Sequence, residues 1–203
     1  MIAIDPESRN EREIYKLLIG SVIPRPIAFV TTMTRDGVLN AAPFSFFNIV
    51  SSQPPMLSIA VQRSKGAMKD TARNAIDRGE LVLHIVDETN VEAVNQTAAS
   101  LPPDESEVAL AGLTPVDSDI VSVPGVKEAK IRMECSLEQA IPLGGLAGTP
   151  ACDLLIVRVV RFHLSDNIYN NGYINPIGLR PVSRMAGNDY STLGELFSIE
   201  RPQ

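Results

Sequence analysis

Strand-like runs succeed one another along this chain with few helices between them, and that order limits the fold more than any other feature. "PRPIAFVTTM" is β-branched and aromatic. It opens on Pro24 and Pro26, which lack the N–H that a central ladder requires. Asp36-Gly37 then sits between two strand-like runs, a hairpin signal because Gly supplies the positive φ of a tight turn. "MLSIAVQ", "ELVLHIVDE" and "ACDLLIVRVVRFHLSD" read as further strands. Between 131 and 138, Ile131, Met133, Cys135 and Leu137 share one face, while Arg132, Glu134 and Glu138 are polar. That alternation predicts a half-buried antiparallel strand. A parallel neighbour would need a long crossover, usually a helix. Regular crossovers are missing, so the chain is expected to be mainly β with helical decorations, an antiparallel barrel or sandwich.

Helices are expected at three insertions. "ESRNEREIYKLLIG" places Ile14, Leu17 and Leu18 on one side and stops at Gly20. "SKGAMKDTARNAIDRG" offers Asp70 or Thr71 as a cap, Ala72 and Ile76 on one side, and Gly79 as the stop. "TNVEAVNQTAASL" offers Thr89 or Asn90 as N-cap, with Val91, Val94 and Ala98 at helical spacing. "GGLAGTP" reads as a turn. Residues 1–203 are expected to form a single domain, with 1–20 a helical extension and 165–203 an irregular wrap rich in Asn, Gly and Pro.

The 203-residue chain carries a net charge of −6, which argues against nucleic acid as a partner. A local Lys/Arg cluster can still hold a small anion. No 18-residue apolar run predicts a membrane span, and the N-terminal stretch has no signal-peptide core, so a cytoplasmic location is expected. Cys135 and Cys152 form no CxxC and read as small buried hydrophobes. There is no GxGxxG after a strand, no Walker motif, no HExxH and no GxSxG. His84 and His163 lie far apart, and no metal site is expected.

Polar residues stand in unusual places between positions 24 and 71. Arg25 and Thr31-Thr32 flank a strand. In "NAAPFSFFN", Ser45 and Asn48 punctuate three of the six Phe of the chain. Lys65 and Lys69 precede Asp70-Thr71. A phosphate seeks Lys or Arg charge, hydroxyls and backbone N–H groups at a helix start, and "KDT" supplies all three. The same letters also suit an ordinary cap with solvated lysines.

In order along the chain, "PRPIAFVTTMTRDGVLNAAPFSFFNIVSSQPPMLSIAV", "KDTARN", "VVRFHLSDNIY" and "RPVSRMAGNDY" resemble the flavin reductase-like family of FMN-binding split barrels. The resemblance implies an antiparallel Greek-key split β-barrel and a homodimer with FMN near the subunit interface. It also implies hydride transfer from NADH or NADPH to flavin, onward to a small-molecule or protein electron acceptor. A non-enzymatic FMN electron carrier or sensor is the alternative. By the same resemblance, cofactor-binding positions are Arg25, Thr31, Thr32, Ser45, Phe46, Phe47, Asn48, Lys69, Asp70, Thr71 and Arg184. The sequence departs from the family pattern at Phe29, where Trp is common, and at His84, where Asn is frequent. "RMAG" stands for the commoner Arg-Leu-Gly-Gly. Flavin carries its own hydride chemistry, so no catalytic side chain is required. His163 is either a satisfied strand residue or a lining of the nicotinamide or acceptor pocket.

Overall fold

A computed structural model describes residues 1–146 and 148–202. Ala147, within the expected turn at 144–150, and Gln203, at the end of the expected wrap, lie outside the described residues. In chain order the elements are helix α1 (Glu11–Ser21) and strands β1 (Arg25–Pro26), β2 (Ala28–Met33), β3 (Leu39–Phe44), β4 (Phe47–Ser52) and β5 (Pro55–Gln62). Helix α2 (Asp70–Arg78), β6 (Glu80–Ile85), α3 (Val91–Gln96) and α4 (Glu107–Leu110) follow. Next come β7 (Pro115–Val116), β8 (Gly125–Val126) and the long β9 (Ile131–Leu143) and β10 (Cys152–Leu164). The wrap holds β11 (Tyr169–Asn170), β12 (Tyr173–Ile174), α5 (Pro176–Leu179), β13 (Ser183–Arg184) and β14 (Tyr190–Ser191).

The main sheet has seven strands in the order β3-β2-β6-β9-β10-β5-β4, and every pairing is antiparallel. Its two edge strands, β3 and β4, are consecutive and joined only by Ser45 and Phe46. Three Cα steps therefore hold Phe44 and Phe47 within about 11 Å. A flat sheet of that width would part its edges by roughly 29 Å. The sheet must curl, and the result is the expected antiparallel split barrel, with its split between β3 and β4.

Strand β2 is buried on both faces. Ala28 and Val30 join the barrel core with Ile59, Leu83, Leu155 and Val157, closed by Ala72 and Ala75 of α2. Ile27 and Phe29 face a second cluster, with Val94 of α3 and Val108 of α4. This two-sided burial traps Thr31 and Thr32, both fully buried. Cys135 belongs to the barrel core as expected, and burial pushes its thiol up to about 12; Cys152 is only half-buried.

Four local expectations are corrected. Leu17 and Leu18 of α1 are exposed, and Ile19 is the residue of that helix that is buried. A capping box between Asn10 and Glu13 starts α1. Its far end is fixed by Arg25, whose guanidinium donates to the Ile19 and Val22 carbonyls. The N-cap of α2 is Lys69, with no side-chain cap hydrogen bond, so Asp70 and Thr71 begin the helix rather than capping it. Ile76 is exposed, because α2 turns Thr71 and Asn74 inward to a polar network along with its two alanines. The stop is as expected: Gly79 takes φ +75, in the left-handed region that other residues rarely adopt. Helix α3 ends at Gln96, and Ala98 lies beyond it, exposed.

Candidate functional site

Two cavities adjoin on one side of the barrel split. The larger, about 520 Å³, is lined by Asn40, Arg63, Ser64, Lys69, Asp70, Thr71 and Glu107, and by residues 97–101 beyond α3. The smaller, about 190 Å³, is lined by Ile27, Ser45, Asn95, Arg184 and Tyr190, and shares Pro43, Phe44 and Ala98 with the first. Together they fall in the size range of small-molecule sites.

Helix α2 points its N-terminus into the larger cavity. The first N–H groups of any helix lack internal partners, and here no side chain caps them. Lys69 stands at the same corner and enters no ion pair among the described residues. The other charges are committed. Asp70 pairs with Arg73. Arg63 grips Asp153 through two hydrogen bonds, Nε to Oδ2 at 2.9 Å and Nη2 to Oδ1 at 2.7 Å. An open helix start beside a free ammonium group suits an anion by charge and by geometry.

Beneath this corner runs a buried polar network. Asn40 Nδ2 donates to Glu107 Oε1 at 3.1 Å and Oε2 at 2.9 Å, and Ala41 N–H donates to Oε2 at 3.2 Å. The hydroxyls of Thr32 and Thr71 both donate to Asn40 Oδ1, at 3.2 and 3.3 Å. Asn74 Nδ2 in turn donates to the Thr32 hydroxyl at 3.4 Å. Burial pushes the Glu107 carboxyl up; hydrogen bonds from its own backbone N–H, from Ala41 and from Asn40 work against that shift, and nearby Asp70 adds to it.

The smaller cavity is closed by the wrap. The Arg184 guanidinium lies 4.4 Å over the Tyr190 ring and donates to the Gly187 carbonyl at 2.6 Å. Tyr190 hydroxyl donates to Asn95 Oδ1 at 2.9 Å, pinning β14 to α3. This clasp was missed by sequence reasoning, since its residues lie 95 positions apart.

The residues expected at a cofactor separate into groups. Lys69, Asp70 and Thr71 line the larger cavity, and Ser45 and Arg184 the smaller. Thr32 lies under the larger cavity through Asn40, whereas Thr31 donates to the Pro124 carbonyl at 2.7 Å on the opposite face of β2. Arg25 is buried and also donates to the Met185 carbonyl; it sits opposite Arg184 in the β1–β13 pairing. Phe46 gives its carbonyl to Ala60 N–H at 2.8 Å. Phe47 and Asn48 line a third, apolar groove of about 350 Å³ with Ile49, Met56, Leu57 and Phe162. "NAAPFSFFN" thus crosses the split: Phe44 packs in the core, Ser45 faces the smaller cavity, and Phe47 faces the groove.

His163 touches none of these cavities. Its Nε2 donates to Glu134 Oε1 at 2.5 Å. Glu134, fully buried, also accepts from the N–H groups of Asp119, Ile120 and Val121. Burial opposes its ionisation, but the His163 bond and the three backbone donors outweigh that and hold it at about 2. Ligand atoms of Asp119, Glu134 and His163 lie within 4.8 Å of one another. Four donors already fill the acceptor positions of Glu134, so the group works as an anchor for the 119–121 loop. His84 is equally satisfied: Nδ1–H donates to the Phe29 carbonyl at 2.9 Å and Nε2 accepts from Val126 N–H at 3.0 Å. Gly125 permits that contact, because a Cβ there would stand 3.0 Å from Nε2.

The family model for the flavin reductase like domain matches residues 19–178. The chain belongs to this family. An uncharacterized protein of Halalkalibacterium halodurans, BH2278, is 54% identical over 200 residues, covering 98% of this chain and 96% of its own. The crystal structure of nitrilotriacetate monooxygenase component B from Bacillus cereus is 59% identical, with a TM-score of 0.97 and 98% of each chain covered. The 2-nitrobenzoate 2-nitroreductase NbaA of Pseudomonas fluorescens is 27% identical, with a TM-score of 0.88, over 99% of this chain and 96% of that one. This flavin reductase-like chain therefore shares its split barrel with a monooxygenase component and a nitroreductase, and both cavities are built from residues around that split. No helix is long and apolar enough to cross a membrane among the described residues.

Proposed function

We propose that this protein is an FMN-binding flavin reductase of the cytoplasm, passing hydride from NADH or NADPH to flavin. One observation carries the reading: the uncapped start of α2, beside unpaired Lys69, opens on a cavity contiguous with a second, partly apolar one. A phosphate fits the first and a flavin ring the second. Bound FMN would supply the redox chemistry, which needs no acid or base from the protein.

The chain's own residues bind and orient. Lys69 and the N–H groups of Asp70 and Thr71 hold the phosphate. Ser45, which lines the smaller cavity, donates to the ribityl chain, and the backbone at Phe46 beside it meets the ring edge. Arg184 and Tyr190 wall the ring. Thr31, Thr32 and Arg25 act from behind, fixing β2 and the β1–β13 pair.

A second copy of the chain would cover the apolar groove, where Ile49 is 74% and Phe162 52% exposed. That homodimer would bring Phe47 and Asn48 of one protomer beside the partner's cofactor. The similarity to a monooxygenase component supports a protein partner as electron acceptor, with small molecules the other class.

Titrating the purified protein with FMN tests the binding. A shift of the visible flavin bands and co-elution on gel filtration are expected; their absence sinks the reading. Stopped-flow mixing with NADH and NADPH tests the reaction. Rapid bleaching with either is expected, and failure with both would leave an FMN carrier.

A further inference from the structure

The end of the wrap, residues 193–202, differs from the rest of the chain. Every residue of it is exposed. Among the described residues, none of them enters a hydrogen bond or an ion pair. A tail held by nothing is ordinarily polar. This one places Leu193, Leu196, Phe197 and Ile199 within seven positions, and Phe197 and Ile199 are 82% and 81% exposed. Single apolar residues on a surface are ordinary, but several together mark an element that binds something.

The same chain leaves an apolar surface open. Twelve residues line the groove beside β4, and ten of them are apolar. Strand β4 is an edge of the main sheet, and "FNIVSS" carries neither charge nor Pro, the usual guards of an edge. Arm and groove are both uncovered within one chain, so the arm does not serve its own groove.

We infer that residues 193–202 form an exchange arm that lies in the apolar groove of a second copy, anchored by Phe197 and Ile199. This rests on the homodimer reading and names what closes it. A two-fold axis makes the exchange reciprocal, so one kind of contact covers both arms and both grooves. The size agrees. A stable interface takes about 20–30 residues from each side. The groove alone supplies twelve, and the ten of the arm bring each side into that range. Fully extended, the arm spans about 33 Å, long enough to pass from its own barrel onto a neighbour.

Sedimentation equilibrium and disulfide trapping test the exchange, and neither involves flavin. Phe197→Asp changes a side chain exposed in the single chain, so the fold should be kept, as circular dichroism checks. It should weaken dimerisation by about tenfold or more. For trapping, Phe197→Cys and Phe162→Cys chains, both also carrying Cys152→Ser, are mixed and oxidised. A covalent dimer with one chain of each kind is expected. Replacing the second chain by Tyr173→Cys, exposed but outside the groove, should trap little. Wild-type protein that is monomeric at micromolar concentration overturns the homodimer reading, and the arm with it. A wild-type dimer that Phe197→Asp does not weaken overturns the arm alone. Absence of the mixed disulfide, or its closure within one chain when both cysteines are placed together, overturns the seat in the partner's groove.

Discussion

Two buried carboxylates in this fold stand in opposite states. Glu134 receives four donors, lines none of the three cavities described, and is held at about 2. Glu107 accepts from Asn40, Ala41 and its own backbone N–H, lines the larger cavity, and is pushed up by burial. The pair shows how to tell scaffold from site. A buried charge that gathers backbone donors away from the cavities holds chain segments together, and one that lines a cavity also sets the polarity of that space. His163 belongs with the first kind, although its strand position and titratable ring alone suit a functional reading equally well.

The comparison breaks first at Glu134. Glu134→Ala leaves three backbone N–H groups and His163 without an acceptor, at a cost of about 3–5 kcal/mol in urea unfolding. FMN affinity at low temperature should be unchanged. A loss under about 1 kcal/mol would mean that water replaces the carboxylate and that the anchor is dispensable.

Acid should undo the scaffold in two steps. Burial depresses His84 to about 4 from its ordinary 6.5, with the Phe29 hydrogen bond working against that and nearby Arg132 adding to it. Between those values the unfolded chain binds the proton and the folded one does not. Stability is therefore full above pH 6.5 and falls by roughly 3 kcal/mol as pH drops through 4. Glu134 adds a second loss: its stabilisation is present above 4.5 and disappears as pH falls through about 2. His84→Asn should flatten the upper step and spare the lower one. An unchanged slope between pH 6.5 and 4 would remove His84 from the account.

Local signals in the sequence survived in the structure because they are local. Asp36-Gly37, the 131–137 alternation and the Gly79 stop need only neighbouring residues to act. That Lys69, Asp70 and Thr71 line one cavity was legible for the same reason, since they are consecutive. What was hidden depends on chain segments meeting from afar. Asn40 and Glu107 lie 67 positions apart. Glu134 looked like the solvent face of a half-buried strand, but the 119–121 loop folds over it and supplies donors. Arg25 looked like a ligand residue, and only the fold shows its guanidinium spent on carbonyls of α1 and the wrap. The apolar side of α1 faces outward for a related reason: that helix is tied by its end.

Within the site itself, the anion corner should carry more selectivity than the ring pocket. Lys69→Ala removes a charged hydrogen-bond donor from the phosphate and should cost FMN about 1.5–3 kcal/mol, with a smaller loss for riboflavin. Equal losses for the two ligands would mean that Lys69 does not meet the phosphate.

Tyr190 should give the smallest effect and the sharpest distinction. Its hydroxyl bonds Asn95 at an exposed position, where water can replace the partner. Tyr190→Phe should therefore change FMN affinity by less than about threefold, a few tenths of a kcal/mol, measured by flavin fluorescence. Tyr190→Ala removes the ring that Arg184 lies over, and with it a wall of the smaller cavity. It should weaken FMN, riboflavin and lumiflavin equally, because all three share the flavin ring. If Tyr190→Ala instead spared lumiflavin and weakened FMN, the wall would belong to the phosphate end, and the assignment of the two cavities would have to be exchanged.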